Sequence, residues 1–205
     1  TAEAVKSILH PSYFRRIDLG CAQVGERTQY FAVSCGCGYD ASICHAAFSS
    51  HVKNFLNRLR LGKLTYIATG IKELILCKPA PMTITLDGGR TLRFRRTFFA
   101  SAMNCRFEGG GVRFCPSAQP DDGFLDLCVV EGPSRLLIIP LFLLSLLGIH
   151  GILPGVHLLR ARSMEFQSSR RLAVHTDGEP YFLKGKMQIR CIPDALYVIA
   201  RSAEK

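Results

Sequence analysis

The chain is 205 residues long, enough to bury a sizeable core as one large domain or one and a half. Its residues are 48% hydrophobic, which leaves apolar surface for a partner or a membrane to cover and argues against a disordered chain. A formal net charge of +10 favours anionic partners, whether nucleotide phosphates, an anionic lipid surface or nucleic acid. On charge alone, a basic surface with no specific partner is an equal alternative. Nine cysteines, an odd number without regular spacing and mostly inside apolar runs, suit small buried hydrophobes in a reducing cytosol better than a disulfide framework or zinc ligands.

Residues 2–9 read as the end of a helix stopped by Pro11, with no long apolar core of a signal peptide. So abrupt a start is expected of a chain that begins partway through a larger protein. Residues 14–19 and 29–34 read as strands separated by a turn near Gly25. Asp18, in the first strand, reads as a site residue or as the partner of a neighbouring arginine. Residues 35–39 read as a tight glycine loop feeding a helix with Asp40 as its N-cap. Ile43, Cys44, Ala47, Phe48, Phe55, Leu56 and Leu59 recur at helical spacing as far as Gly62, and a second helix is expected over residues 63–77.

After Pro79 and Pro81 the pattern changes to strands. Residues 82–86, the turn Asp87-Gly88-Gly89 and residues 91–102 predict a hairpin. A glycine loop at 109–111 and short strands at 112–115 and 124–130 follow. Residues 136–149, LLIIPLFLLSLLGI, carry no charge, but Pro140 and the glycines beyond make a poor membrane span. They read as a core helix or as a helix whose apolar face meets lipid. Strands resume at 156–166, 172–175, 187–192 and 196–200. The expected fold is mainly β with inserted helices.

The chemistry concentrates in two acidic turns. Residues 174–180, VHTDGEP, set Asp177 and Glu179 around a glycine at the end of an alternating run, and residues 116–126, PSAQPDDGFLD, supply three more acids. Either is weak alone. In order, however, IDLG (17–20), FAVSCGCGYDA (31–41), GKLTYIATGI (62–71), NCRFEGGGVRFCPSAQPDDGFLDL (104–127) and HTDGEP (175–180) resemble the diacylglycerol kinase-like lipid kinases of the bacterial YegS-like type. Sphingosine and ceramide kinases are more distant relatives, and the resemblance covers nearly the whole chain.

The resemblance implies a distorted β-sandwich-like C-terminal domain of the NAD kinase/diacylglycerol kinase-like fold over residues 13–205. Residues 1–12 would then be the end of an N-terminal nucleotide-binding domain, with the final strands open to packing back on it. That domain's GGDGT loop does not occur here, so most contacts to ATP would lie outside this chain. By the resemblance, Glu179 is the base on a lipid hydroxyl and Asp177 supports it, through neighbouring groups or a metal-bound water. Asp122, with the carbonyls of Gln119 and Phe124, matches a structural Mg2+ site, although spacing alone leaves Asp121 and Asp126 open as ligands. Asn104 and Gly109, Gly110 and Gly111 match positions near the interdomain, cofactor-binding cleft.

The expected activity is ATP-dependent phosphorylation of diacylglycerol or a related lipid, by a cytoplasmic protein peripherally associated with an anionic membrane. Homodimerisation stays open. The alternatives are a NAD kinase-like phosphotransferase and a non-catalytic lipid-binding or regulatory module. No nucleic acid is expected as a partner, because the basic residues are scattered and no recognised module occurs. The chain departs from the family pattern at His10-Pro11 and at Cys35.

Overall fold

The computed structural model describes residues 5, 8–11, 13–49, 72–73, 76–132 and 137–200, without the side chains of 47–49. The expected second helix and the apolar positions 55–59 lie mostly outside them. The described strands are β1 (Tyr13–Val24), β2 (Arg27–Phe31), β3 (Ser34–Gly38), β4 (Ala80–Leu86), β5 (Arg90–Met103), β6 (Leu125–Glu131), β7 (Val156–Ala161), β8 (Ser163–Thr176) and β9 (Glu179–Ala200). The helices whose bounds are described are α1 (Tyr39–Ser49) and α2 (Ile138–Leu147). The mainly β expectation holds.

Every named pairing is antiparallel, and the strand order is β2-β1-β9-β8-β3-β5-β6-β7, with β4 pairing both β5 and β8. Strands β3 and β4 share the same two neighbours at different registers, so they divide the gap between β5 and β8 end to end. One hydrophobic cluster draws on Ala22 and Phe31 near one end of this order and on Ala161 at the other. A flat sheet could not bring these together, so the sheet curls around its own core. A second cluster lies outside β5 and β6, where Ile138 and Leu141 of α2 pack on Phe98, Phe99, Met103, Cys128 and Val130.

Three sequence expectations are corrected. Residues 34–38 form a strand rather than a glycine loop, because Ser, Cys and Gly are small enough to lie buried between β5 and β8. Residues 112–115 form no strand, and only Val112 makes a bridge, to Glu108. The late strands are longer and fewer than expected: β8 absorbs an irregularity between Ser168 and Leu172, and β9 runs for 22 residues.

Candidate active site

The sequence TDGE closes the β8–β9 hairpin. Thr176 pairs with Glu179, and both intervening residues have positive φ, 47° at Asp177 and 87° at Gly178. This is the two-residue turn that the right-handed twist of antiparallel strands favours, and Asp-Gly meets its backbone demand. The Asp177 carboxylate folds back onto the loop between β2 and β3. It accepts the N–H groups of Ala32 at 2.7 Å, Val33 at 3.0 Å and Ser34 at 2.8 Å. Three successive amides form a nest for an anion, and here the anion is a side chain of the protein itself. Asp177 N–H also donates to Ser34 O at 2.9 Å. Glu179 points elsewhere: it is exposed, and among the described residues its carboxylate makes no hydrogen bond or ion pair.

One strand position before this turn, His175 is 2% exposed and lies between two acids from other elements. Its Nε2 is 3.2 Å from Asp40 Oδ2, in the first turn of α1, and 3.4 Å from Glu108 Oε1, just before the glycine loop. Ser34 Oγ–H donates to Glu108 Oε1 at 2.6 Å. Burial pushes the Glu108 carboxyl above its usual range and the Asp40 charge adds to that, against His175 and the Ser34 bond. For His175, burial favours the neutral ring, but the Asp40 bond and the charges of Asp40, Glu108 and Asp177 outweigh it and raise the pKa. Gly36 makes the arrangement possible, since a Cβ there would come within 2.2 Å of Asp40 Oδ2 and 2.5 Å of His175 Nε2. Asp40, expected only as a helix cap, thus faces into a buried cluster. Glu108 and His175 carried no role in the sequence reading; an acid beside a triple glycine and a histidine beside DGE were the available signals.

These three side chains place ligand atoms within 4.8 Å of one another, close enough to share a cation. The histidine tautomer does not suit a metal. Gly178 N–H donates to His175 Nδ1 at 3.3 Å, so a neutral ring carries its hydrogen on Nε2, the atom that faces the acids.

At the second acidic turn each carboxylate has a partner. Arg15 donates to Asp121 Oδ2 through Nε at 3.1 Å and Nη2 at 2.6 Å. Asp122 accepts Phe124 N–H at Oδ1 and is ion-paired at Oδ2 with Arg160, whose guanidinium also lies 4.4 Å over the Phe124 ring. Asp126 accepts Ser117 Oγ–H at 2.9 Å, and burial raises its pKa. The expected Mg2+ site at Asp122, Gln119 and Phe124 therefore does not fit as arranged: a divalent ion on Asp122 would have to displace a guanidinium already seated there. Asp121 is held by Arg15, and Asp126, a buried residue, accepts Ser117 at Oδ1 while its Oδ2 has no hydrogen-bond partner among the described residues. Chelation with EDTA is expected to leave the Tm of the chain unchanged. Arg160→Leu, by contrast, should cost about 1 kcal/mol, between the values typical of exposed and buried pairs. A Tm that falls with EDTA and recovers with magnesium would reverse this reading.

Asn104 is fully buried within this domain, where its Nδ2 donates to Asp18 O at 2.8 Å and Ala32 O at 3.1 Å. Asp18 is bound by backbone amides, not by a neighbouring arginine: Gly123 N–H at 2.7 Å and Asp194 N–H at 2.8 Å. Asp177, Ala32, Asn104, Asp18 and Gly123 thus form a continuous hydrogen-bonded strut between the two acidic turns. Gly109, Gly110 and Gly111 are exposed, with no atom near enough to meet an added Cβ, so they remain open to a ligand.

A curled antiparallel sheet with an anchored DGE hairpin points to one class of domain. Residues 34–200 match the model of the YegS C-terminal NAD kinase beta sandwich-like domain, and the chain belongs to that family. Among its relatives is a diacylglycerol kinase of Mycobacterium tuberculosis, 29% identical over 160 residues, covering 77% of this chain and 51% of that protein. A YegS-like lipid kinase, so named, of Stenotrophomonas maltophilia is 33% identical over 136 residues, covering 65% and 42%. The chain spans about half the length of the curated relatives it matches. A solved structure of a candidate diacylglycerol kinase from Bacillus anthracis shares the fold, with a TM-score of 0.71 at 22% identity over 98% of this chain and 62% of that one.

Proposed function

We propose that this chain is the acceptor-side domain of an ATP-dependent lipid kinase that phosphorylates a hydroxyl of diacylglycerol or a related lipid, with Glu179 as general base. Family membership supports the class of reaction. The observation that carries the assignment is the division of labour in the DGE turn: Asp177 is consumed in anchoring, while Glu179 is presented outward. In the proposed step the carboxylate takes the proton of the lipid hydroxyl as its oxygen forms a bond to the γ-phosphorus. The bond from that phosphorus to the bridging oxygen breaks, and ADP leaves. ATP and the Mg2+ that accompanies it would be held mainly by a nucleotide-binding domain outside these residues, with Gly109–Gly111 facing that side of the cleft. Mg2+ would neutralise phosphate charge there. The test is a labelled-ATP transfer assay on the full-length protein with a panel of lipids. Transfer to lipid is the expected result, and transfer only to a dinucleotide would replace this reading with that of a NAD kinase-like enzyme.

We propose in addition that α2 lies against an anionic bilayer. The helix is split lengthwise: Ile138, Leu141 and Ser145 are buried, whereas Ile139, Phe142, Leu143 and Leu147 are exposed, as are Ile149 and Ile152 beyond its end. No helix among the described residues is long and apolar enough to cross a membrane. At the helix end Arg113 packs beside Gly148, so a cation borders the apolar face, and the net charge of +10 adds attraction to anionic lipid. Co-sedimentation with phosphatidylglycerol vesicles is expected at low salt and should weaken in Leu143→Asp. Equal sedimentation of both proteins would remove α2 from the membrane face.

A further inference from the structure

The turn that carries Glu179 has two anchors, and only one of them is visible in the motif. Asp177 fixes one side through the amides of residues 32–34. The other side is fixed from within, by Gly178 N–H on His175 Nδ1 at 3.3 Å. That bond has a chemical consequence. An imidazole nitrogen that accepts a hydrogen bond carries no proton, so the neutral ring must be protonated at Nε2. Nε2–H then faces two acceptors, Asp40 Oδ2 at 3.2 Å and Glu108 Oε1 at 3.4 Å. The acids therefore select the tautomer that the turn requires.

We infer that His175 is the positioning residue of the Glu179 turn, an imidazole that holds Gly178 through Nδ1 and is itself oriented through Nε2–H by the Asp40–Glu108 pair. The inference rests on the reading of Glu179 as base, and extends it to residues that would touch neither lipid nor nucleotide. Three elements meet at the ring: the start of α1, the segment entering the glycine loop, and the β8–β9 hairpin. Its placement is enforced by packing. His175 pairs with Gly36 across β3–β8, and the absent Gly36 side chain leaves the space in which Asp40 Oδ2 and His175 Nε2 meet. The Glu108 oxygen nearest the ring is fixed in turn by Ser34, whose backbone carbonyl accepts Asp177 N–H and whose own N–H donates to the Asp177 carboxylate. The two anchors of the turn thus converge on Ser34. A proton added to the neutral ring would go to Nδ1 and expel Gly178 N–H from its acceptor. The hold on the turn therefore belongs to the neutral form.

The test separates the two nitrogens in the full-length protein. His175→Asn keeps a carboxamide oxygen near the place of Nδ1 but cannot reach Asp40. His175→Gln keeps a donor near the place of Nε2 but gives Gly178 no acceptor. The expected result is that Asn retains kcat within about threefold, whereas Gln loses about ten- to a hundredfold, as a displaced catalytic group does, with KM for ATP little changed. Amide exchange at Gly178 should quicken in Gln and not in Asn. Equal kcat and equal Gly178 exchange in the two variants would overturn the inference. If Glu179→Gln proves fully active, the base reading fails, while the exchange contrast still judges His175 alone. Should either variant fail to fold, the imidazole 15N shifts of the wild-type protein decide: once alkaline pH has deprotonated the ring they are expected to show the proton on Nε2 and an unprotonated Nδ1, and a neutral ring protonated at Nδ1 would overturn the assignment.

Discussion

Glu179→Gln is expected to lower phosphoryl transfer to lipid by about 10²- to 10⁴-fold, the range typical for loss of a positioned general base. The substitution keeps the size and polarity of the side chain and removes only its ability to accept a proton. Glu179 is exposed and has no partner among the described residues, so its replacement leaves no buried group unsatisfied, and Tm should not move. The signature is therefore a loss of kcat at unchanged stability, with KM for ATP little altered because ATP would be held elsewhere. Single-turnover assays of the full-length protein beside thermal unfolding separate the two effects. A variant with wild-type kcat would remove Glu179 from the reaction.

Asp177→Ala is expected to act in the opposite sense, first on stability and only through it on catalysis. It deletes a carboxylate that accepts three backbone N–H groups and places alanine at a φ of 47°. Charge-assisted bonds contribute about 1.5–3 kcal/mol each but do not add, and water reaches part of this site, so a loss of about 3 kcal/mol is expected. A left-handed alanine contributes about 1 kcal/mol of that. Asp177→Asn, which tolerates the same backbone and keeps one acceptor oxygen, should lose about half as much. Denaturant unfolding midpoints measure both, and an alanine variant within 0.5 kcal/mol of wild type, roughly the effect of a neutral surface change, would show that the nest is not an anchor. The helper role that the family resemblance suggests for Asp177 thus becomes one of holding the turn in place.

Local signals located the hairpins well. Asp87-Gly88-Gly89 between alternating runs and Asp177-Gly178 after LAVHT carry their turn chemistry in adjacent residues; the first hairpin forms where expected, and the second turn closes a hairpin whose return strand starts at Glu179 rather than at residue 187. The strand at residues 34–38 was hidden for a physical reason. SCGCG has none of the β-branched or aromatic residues that mark a strand, because it lies buried with neighbours on both sides and Gly36 must yield its space to Asp40 and His175. The charge-free stretch before Gly148 read equally as core or as a lipid-facing helix. The structure packs one side of α2 on β5 and β6 and leaves the other side exposed.

By itself the sequence determined a mainly β domain of the YegS-like type, with an Asp-Gly turn presenting a glutamate. These are matters of composition, local backbone preference and motif order. Only the tertiary structure decided what the acids do. Asp177 meets amides 145 positions away, Asp121 meets an arginine 106 away, and His175 meets an aspartate 135 away. A carboxylate's role depends on which donor it faces, and the curl of the sheet brings those donors together from strands far apart in the chain. That is why Asp122 carries an arginine where a metal was expected, Asn104 braces the interior, and Glu179 alone of the two DGE carboxylates is left without a partner among the described residues.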